Sequence, residues 1–101
     1  MASDPLSAEE DRRRVLQRFF TPDGRLMTIP VRHVKRQVVL DHLVQRFELG
    51  VVYPESEVRA LLSEAHPDHA ALRRYLVEDG FLAREDGRYW RCGGTVDLDG
   101  V

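Results

Sequence analysis

Proline and glycine cut this chain into short pieces, and that punctuation limits its fold more than any other feature. Pro22-Asp23-Gly24, Pro30, Gly50, Pro54, Pro67, Gly80 and Gly87 divide the chain so that no helix or strand after Pro22 can outrun the longest uninterrupted stretch, Val31–Leu49. The pieces between the breaks alternate in kind. Ser7-Ala8-Glu9-Glu10 has the pattern of a capping box, so a first helix is expected from Ser7, with Glu9, Glu10 and Asp11 in its first turn. Its apolar stripe is Val15, Leu16, Phe19 and Phe20, and Thr21-Pro22-Asp23-Gly24 ends it. Arg25–Ile29 is a short strand candidate stopped by Pro30. A second helix is expected from Arg32 to Leu49, burying Val38 or Val39, Leu40, Leu43, Val44 and Phe47, with Gly50 past its end.

The remainder is shorter still. Val51-Val52-Tyr53 is a stub of strand before Pro54, which opens a third helix with Glu55 and Glu57 in its first turn and Val58, Leu61 and Leu62 inward. Ala65-His66-Pro67 interrupts it, because the residue before a proline avoids helical geometry. Asp68 caps a fourth helix, Asp68–Asp79, with Leu72, Tyr75 and Leu76 as its core residues. Phe81–Arg84 and Arg88–Arg91 flank Glu85-Asp86-Gly87 as a β-hairpin. Alternation sends Tyr89 and Arg91 to one face and Trp90 to the other, and Trp90 is expected to be the core side. Residues 92–101 are read as a flexible C-terminal tail.

From residue 33 onward the order helix, stub strand, helix, short turn, helix, hairpin is that of a winged helix-turn-helix. The expected fold is therefore α+β and mostly helical. A single winged-helix-like domain spans 1–91, with an N-terminal helix and short strand forming an extension (7–30) ahead of the winged helix (32–91). One cysteine, Cys92, excludes an internal disulfide framework. No apolar run is long enough to span a bilayer, and the first residues lack a secretory core, so a cytoplasmic protein without a membrane partner is expected.

The residues Val15-Leu16-Gln17-Arg18-Phe19-Phe20, Asp23-Gly24-Arg25-Leu26, Ile29-Pro30, Lys35-Arg36, Val39-Leu40, Phe47, Tyr53, Glu57-Val58, Leu61-Leu62, Asp68, Leu72-Arg73-Arg74-Tyr75-Leu76, Gly80-Phe81-Leu82 and Gly87-Arg88-Tyr89-Trp90-Arg91 carry a family resemblance. Together they resemble the bacterial domain-of-unknown-function 2087 family over roughly residues 12–91. The resemblance implies a winged helix-turn-helix-like fold and, because some members carry a separate regulator-type DNA-binding domain, a link to transcription regulation. It brings no catalytic or ligand-binding residues.

A winged helix that reads DNA places the second helix of its turn in the major groove and its hairpin on the backbone. The candidate DNA-binding residues are accordingly His69, Arg73, Arg74, Arg84 and Arg88, with His69 and Arg73 for base edges and Arg74 for phosphate or internal pairing. Arg91 belongs to the same basic set, and Arg32, Lys35 and Arg36 could add to it. The competing reading is pairing within the fold. Residues 68–91 carry five arginines and five carboxylates, and the whole chain has a net charge of −2, so a strong field requires the signs to segregate in space.

His66 and His69 are separated by Pro67, and His33 and His42 lie nine apart, so no metal set is expected. No nucleophile elbow, phosphate loop or dinucleotide fingerprint is present, and neither an enzyme nor a cofactor is expected. Duplex DNA is thus the leading partner. The alternative is a protein-protein interaction or homodimerisation module that does not bind DNA, favoured by the acidic balance and by the Phe19/Phe20 helix, with a C2 homodimer through the first or second helix as one form of it.

Overall fold

The computed structural model describes residues 5–96. Four helices, α1 (Pro5–Phe19), α2 (His33–Val44), α3 (Glu55–Ser63) and α4 (His69–Glu78), are joined by three short strands, β1 (Val52–Pro54), β2 (Leu82–Glu85) and β3 (Arg88–Arg91). The strands make one antiparallel sheet in the order β1-β3-β2. An α+β architecture is therefore present. None of the described helices is long and apolar enough to cross a membrane.

One core serves all the elements. Val39, Leu40, Leu43 and Val44 from α2 meet Val58 and Leu62 from α3, Leu72 and Leu76 from α4, and Leu82 and Tyr89 from the hairpin. Paired neighbours such as Val39-Leu40 and Leu43-Val44 give α2 a wide apolar face, which lets it sit in the centre. Leu16 and Phe19 of α1 pack on the edge of that core, and Phe20 lies within it beside the His42 ring at 4.8 Å.

Several local features differ from the sequence expectations. Helix α1 already includes Pro5, the first described residue, so Ser7 lies inside it rather than capping it, and Glu9–Asp11 fall beyond the first turn. Arg25–Ile29 is not a strand. Only a single bridge joins Phe20 to Leu26, and the Leu26 N–H donates to the Ala65 carbonyl at 2.7 Å instead of to a neighbouring strand. Helix α2 stops at Val44, five residues early, and Arg46 and Phe47 continue in tighter i→i−3 bonds. That turn keeps Phe47 buried while swinging the chain toward β1, where the Tyr53 ring meets Phe47 edge-on at 5.1 Å.

The hairpin corrects the largest expectation. Tyr89 is fully buried and Arg91 nearly so, whereas Trp90 is half-buried on the outer face. Asp86 and Gly87 both have positive φ (51° and 75°), the signature of a two-residue hairpin turn. That turn sets Leu82 opposite Arg91 and Arg84 opposite Tyr89. Cross-strand partners share a face, so burying Leu82 carries Tyr89 and Arg91 inward and turns Trp90 out.

Beyond the hairpin, the tail expected from residue 92 is held in place through Thr95 in its described part; residues 97–101 lie outside the described residues. The Thr95 N–H and hydroxyl donate to the Asp41 carboxylate at 2.6 and 2.8 Å, and its carbonyl accepts from Arg91 Nη2 at 2.7 Å and Gln45 Nε2 at 2.9 Å.

Candidate functional site

Helix α4 and the hairpin leave an open groove of about 550 Å³ between them, lined by Arg73, Arg74, Arg84, Ala70, Val77 and Tyr89 among others. Local chemistry sets where these side chains stand. Asp68 accepts the Ala71 N–H at 3.2 Å and caps α4, which fixes where the helix starts and hence the direction of everything on it. With Leu72 and Leu76 buried, Arg73 and Arg74 fall on the flank and outer side. Arg84 reaches in from β2, its guanidinium 5.8 Å from the centre of the Tyr89 ring.

Each cation has a different environment. Arg73 is half-buried, with Nη1 at 2.9 Å from Glu55 Oε1, and the same carboxylate oxygen accepts the Tyr89 hydroxyl at 3.3 Å. Arg74 is exposed, 4.0 Å from Glu78, with its guanidinium 5.4 Å from the Tyr75 ring. A second guanidinium, that of Arg36, lies 4.5 Å from the same ring. Arg36 itself is anchored: Nη1 donates to the Val31 carbonyl at 3.1 Å, and Nε is buried 3.9 Å from Asp79, too far to bond. Asp79 is instead held by the Gln37 amide at 2.8 Å. Two carboxylates, Asp68 and Glu78, line the groove beside its three arginines. The signs are interleaved along α4, and the positive excess in the groove is one charge.

Of the five candidate residues, Arg73, Arg74 and Arg84 come together. His69 opens α4 outside the groove lining. Arg88 points to the opposite side of the sheet, where it lines a separate cleft with Val52, Trp90, Glu85 and Asp86. Strand alternation accounts for the split, since Arg88 pairs with Glu85 on the outer face while Arg84 pairs with Tyr89 on the inner one.

A second polar centre was not anticipated from the sequence. The Asp41 carboxylate, nearly buried on α2, binds Arg12 of α1 at 2.7 Å as well as Thr95. Burial pushes its pKa up, but the Thr95 N–H and hydroxyl and the Arg12 guanidinium outweigh burial and hold it below the ordinary 3.8. Burial also pulls the adjacent His42 below its ordinary 6.5, and Arg12 and Arg46 act in the same direction. Arg91 completes the cluster with bonds to the Gly93, Phe47 and Thr95 carbonyls. The available signal was an acid set among Val39, Leu40, Leu43 and Val44, since a carboxylate on a core face needs partners. This centre ties three segments together, none of its buried side-chain polar atoms is left without a partner, and its role is structural. Among the described residues no group of three or more His, Cys, Asp or Glu is placed to hold a metal ion.

Comparison with known proteins adds one finding. A family model described as an uncharacterised protein conserved in bacteria (DUF2087) matches residues 25–91. The match takes in the groove, the hairpin and α2, and leaves α1 outside. No curated protein and no solved structure matches the chain.

Proposed function

The chain belongs to the DUF2087 family of uncharacterised bacterial proteins, and from its groove we propose that it binds duplex DNA as a winged helix-turn-helix. One observation carries this reading: three guanidinium groups, two from α4 and one from β2, converge on the groove between the second helix of the α3–α4 pair and the hairpin. Those are the two elements a winged helix lays against a duplex. The order α2, β1, α3, α4, β2, β3 with a β1-β3-β2 sheet supports the same fold reading. Ala70, on the groove side of α4, keeps that face low enough for close approach to a backbone. The reading is of a binding module rather than an enzyme. The two lining carboxylates are occupied by a helix cap and by Arg74, and the Tyr89 hydroxyl by Glu55.

With so small a positive excess, binding is expected to be modest and strongly salt-dependent. The test is a polarisation titration of a labelled duplex at about 50 mM salt, where phosphate contacts weigh most. Arg84→Ala, at an exposed position, is expected to weaken binding about tenfold and to lower the slope of log K against log salt by about one. Arg88→Ala, on the far face, is expected to leave both unchanged. A wild-type chain that binds no duplex at that salt would overturn the proposal.

A further inference from the structure

Two surfaces outside the groove complement each other in sign, and both expose apolar side chains. Between Gly24 and Asp41 there is no acidic residue and there are four permanent cations, Arg25, Arg32, Lys35 and Arg36. At the head of α2 this stretch forms a knob: Val31 is 91% exposed and Val34 76%, with Arg32 and Lys35 beside them. The knob is held rather than loose, because Pro30 before it is buried and the Val31 carbonyl accepts from Arg36 Nη1 at 3.1 Å. The second surface is the outer side of the sheet. Val52, Trp90 and Ala83 lie in one cross-strand row there, with Val52 55% exposed. Trp90 and Val52 line a cleft of about 400 Å³ whose charged members are Glu85 and Asp86 against the single cation Arg88.

We propose that the chain associates with a second copy of itself, the basic valine knob of one copy seating in the acidic tryptophan cleft of the other. The occupant follows from complementarity. The knob offers exposed apolar side chains with cations next to them in the chain, and the cleft offers the apolar Val52 and Trp90 with a surplus of one carboxylate. A nucleic-acid backbone would match the cations but gain nothing from two exposed valines. Knob and cleft are different patches, so the contact is heterologous rather than self-complementary across one patch. One helical turn buries less than the ~1,200 Å² of standard complexes, so the association is weak and reversible, with a Kd on the order of 0.1 mM.

Sedimentation equilibrium between roughly 10 μM and 1 mM, at about 50 mM salt, tests it. The wild-type mass is expected to rise with concentration, and to return toward monomer at about 0.5 M salt, where the screening length is only about 4 Å. The variants R32E/K35E and E85Q/D86N are each expected to stay monomeric with unaltered circular dichroism and melting. Mixed together they are expected to form a 1:1 species, because the first keeps its cleft and the second keeps its knob. V31S/V34S, which leaves every charge in place, is expected to weaken association at least about tenfold, given the apolar area lost. A chain monomeric at 1 mM, association that R32E/K35E leaves intact, or a variant mixture that stays monomeric would each overturn the proposal. So would a monomeric wild type whose binding to anionic vesicles or to labelled duplex is lost in R32E/K35E, since the knob would then serve a polyanion. Duplex binding through Arg84 is read separately and survives or fails on its own.

Discussion

Asp41 shows how a single charge can be kept inside a small core. An isolated carboxylate on the inner side of α2 would cost several kcal/mol, and here three donors from two distant segments surround it. Removing the charge leaves Arg12 and the Thr95 N–H with weaker acceptors, so Asp41→Asn is expected to cost about 2 kcal/mol, or a fall in Tm on the order of 10 °C for a domain this size. The pH dependence follows from the direction of the shifts. Asp41 titrates lower in the folded chain than in the unfolded one, so its contribution is complete well above pH 3.8 and is lost as pH falls below that value. His42 is also lowered: the unfolded chain takes up its proton first, and stability declines as pH drops through 6.5. Urea unfolding from pH 8 to pH 3 should therefore show two successive losses on the acid side. The lower one should be absent in Asp41→Asn and the upper one in His42→Gln.

The β2–β3 hairpin is where the inward and outward sides of the sheet were assigned in reverse, and it supplies a sharp test. Tyr89 is enclosed between the sheet and the helices, while Trp90, though larger, lies on the outer side beside Val52. Tyr89→Ala is expected to cost about 3–5 kcal/mol and Trp90→Ala about 1 kcal/mol, measured by thermal or urea unfolding. The reverse order would restore the sequence-based assignment. Hydrophobicity alone favoured Trp90, and what decided the matter was parity: the two-residue turn at Asp86-Gly87 couples the strands, and Leu82 has to be inside. Elsewhere the signals were local and could be read. Pro54, Asp68 and Gly80 bracket α3 and α4 in the sequence, and the apolar spacing identified Leu62, Leu72 and Leu76 as core. The end of α2 could not be read in this way, because Phe47 is equally apolar in a continuing helix and in a turn. For the groove, proximity in sequence suggested five residues on one face. Strand alternation moved Arg88 away, and the helix start left His69 outside.

Helix α1 and the segment after β3 are both fastened to the last turn of α2 through one side chain. Arg12 reaches Asp41 from α1, and Thr95 reaches it from beyond β3, so the helix carries the closure between the first and last segments. Gly94 allows that approach. It has φ +95°, and a Cβ placed there would stand 2.6 Å from Val44 Cγ1 and 3.0 Å from Asp41 Oδ1. Truncation after Cys92 removes Thr95, Gly94 and Gly93 together. Asp41 is then left with Arg12 alone, and Arg91, nearly buried, loses two of its three carbonyl acceptors. Stranding part of a buried cation and half-satisfying a buried anion should cost about 3–4 kcal/mol, more than Asp41→Asn. The two changes act on one network, so their combination should cost clearly less than the sum. The groove is a different matter, because Arg73, Arg74 and Arg84 make none of their contacts with residues 92–96. On the function proposed for the groove, the truncated chain well below its lowered Tm is expected to match the wild type in duplex affinity and salt slope. Loss of affinity in step with loss of stability would place the C-terminal segment inside the binding surface and leave the α4–hairpin groove insufficient on its own.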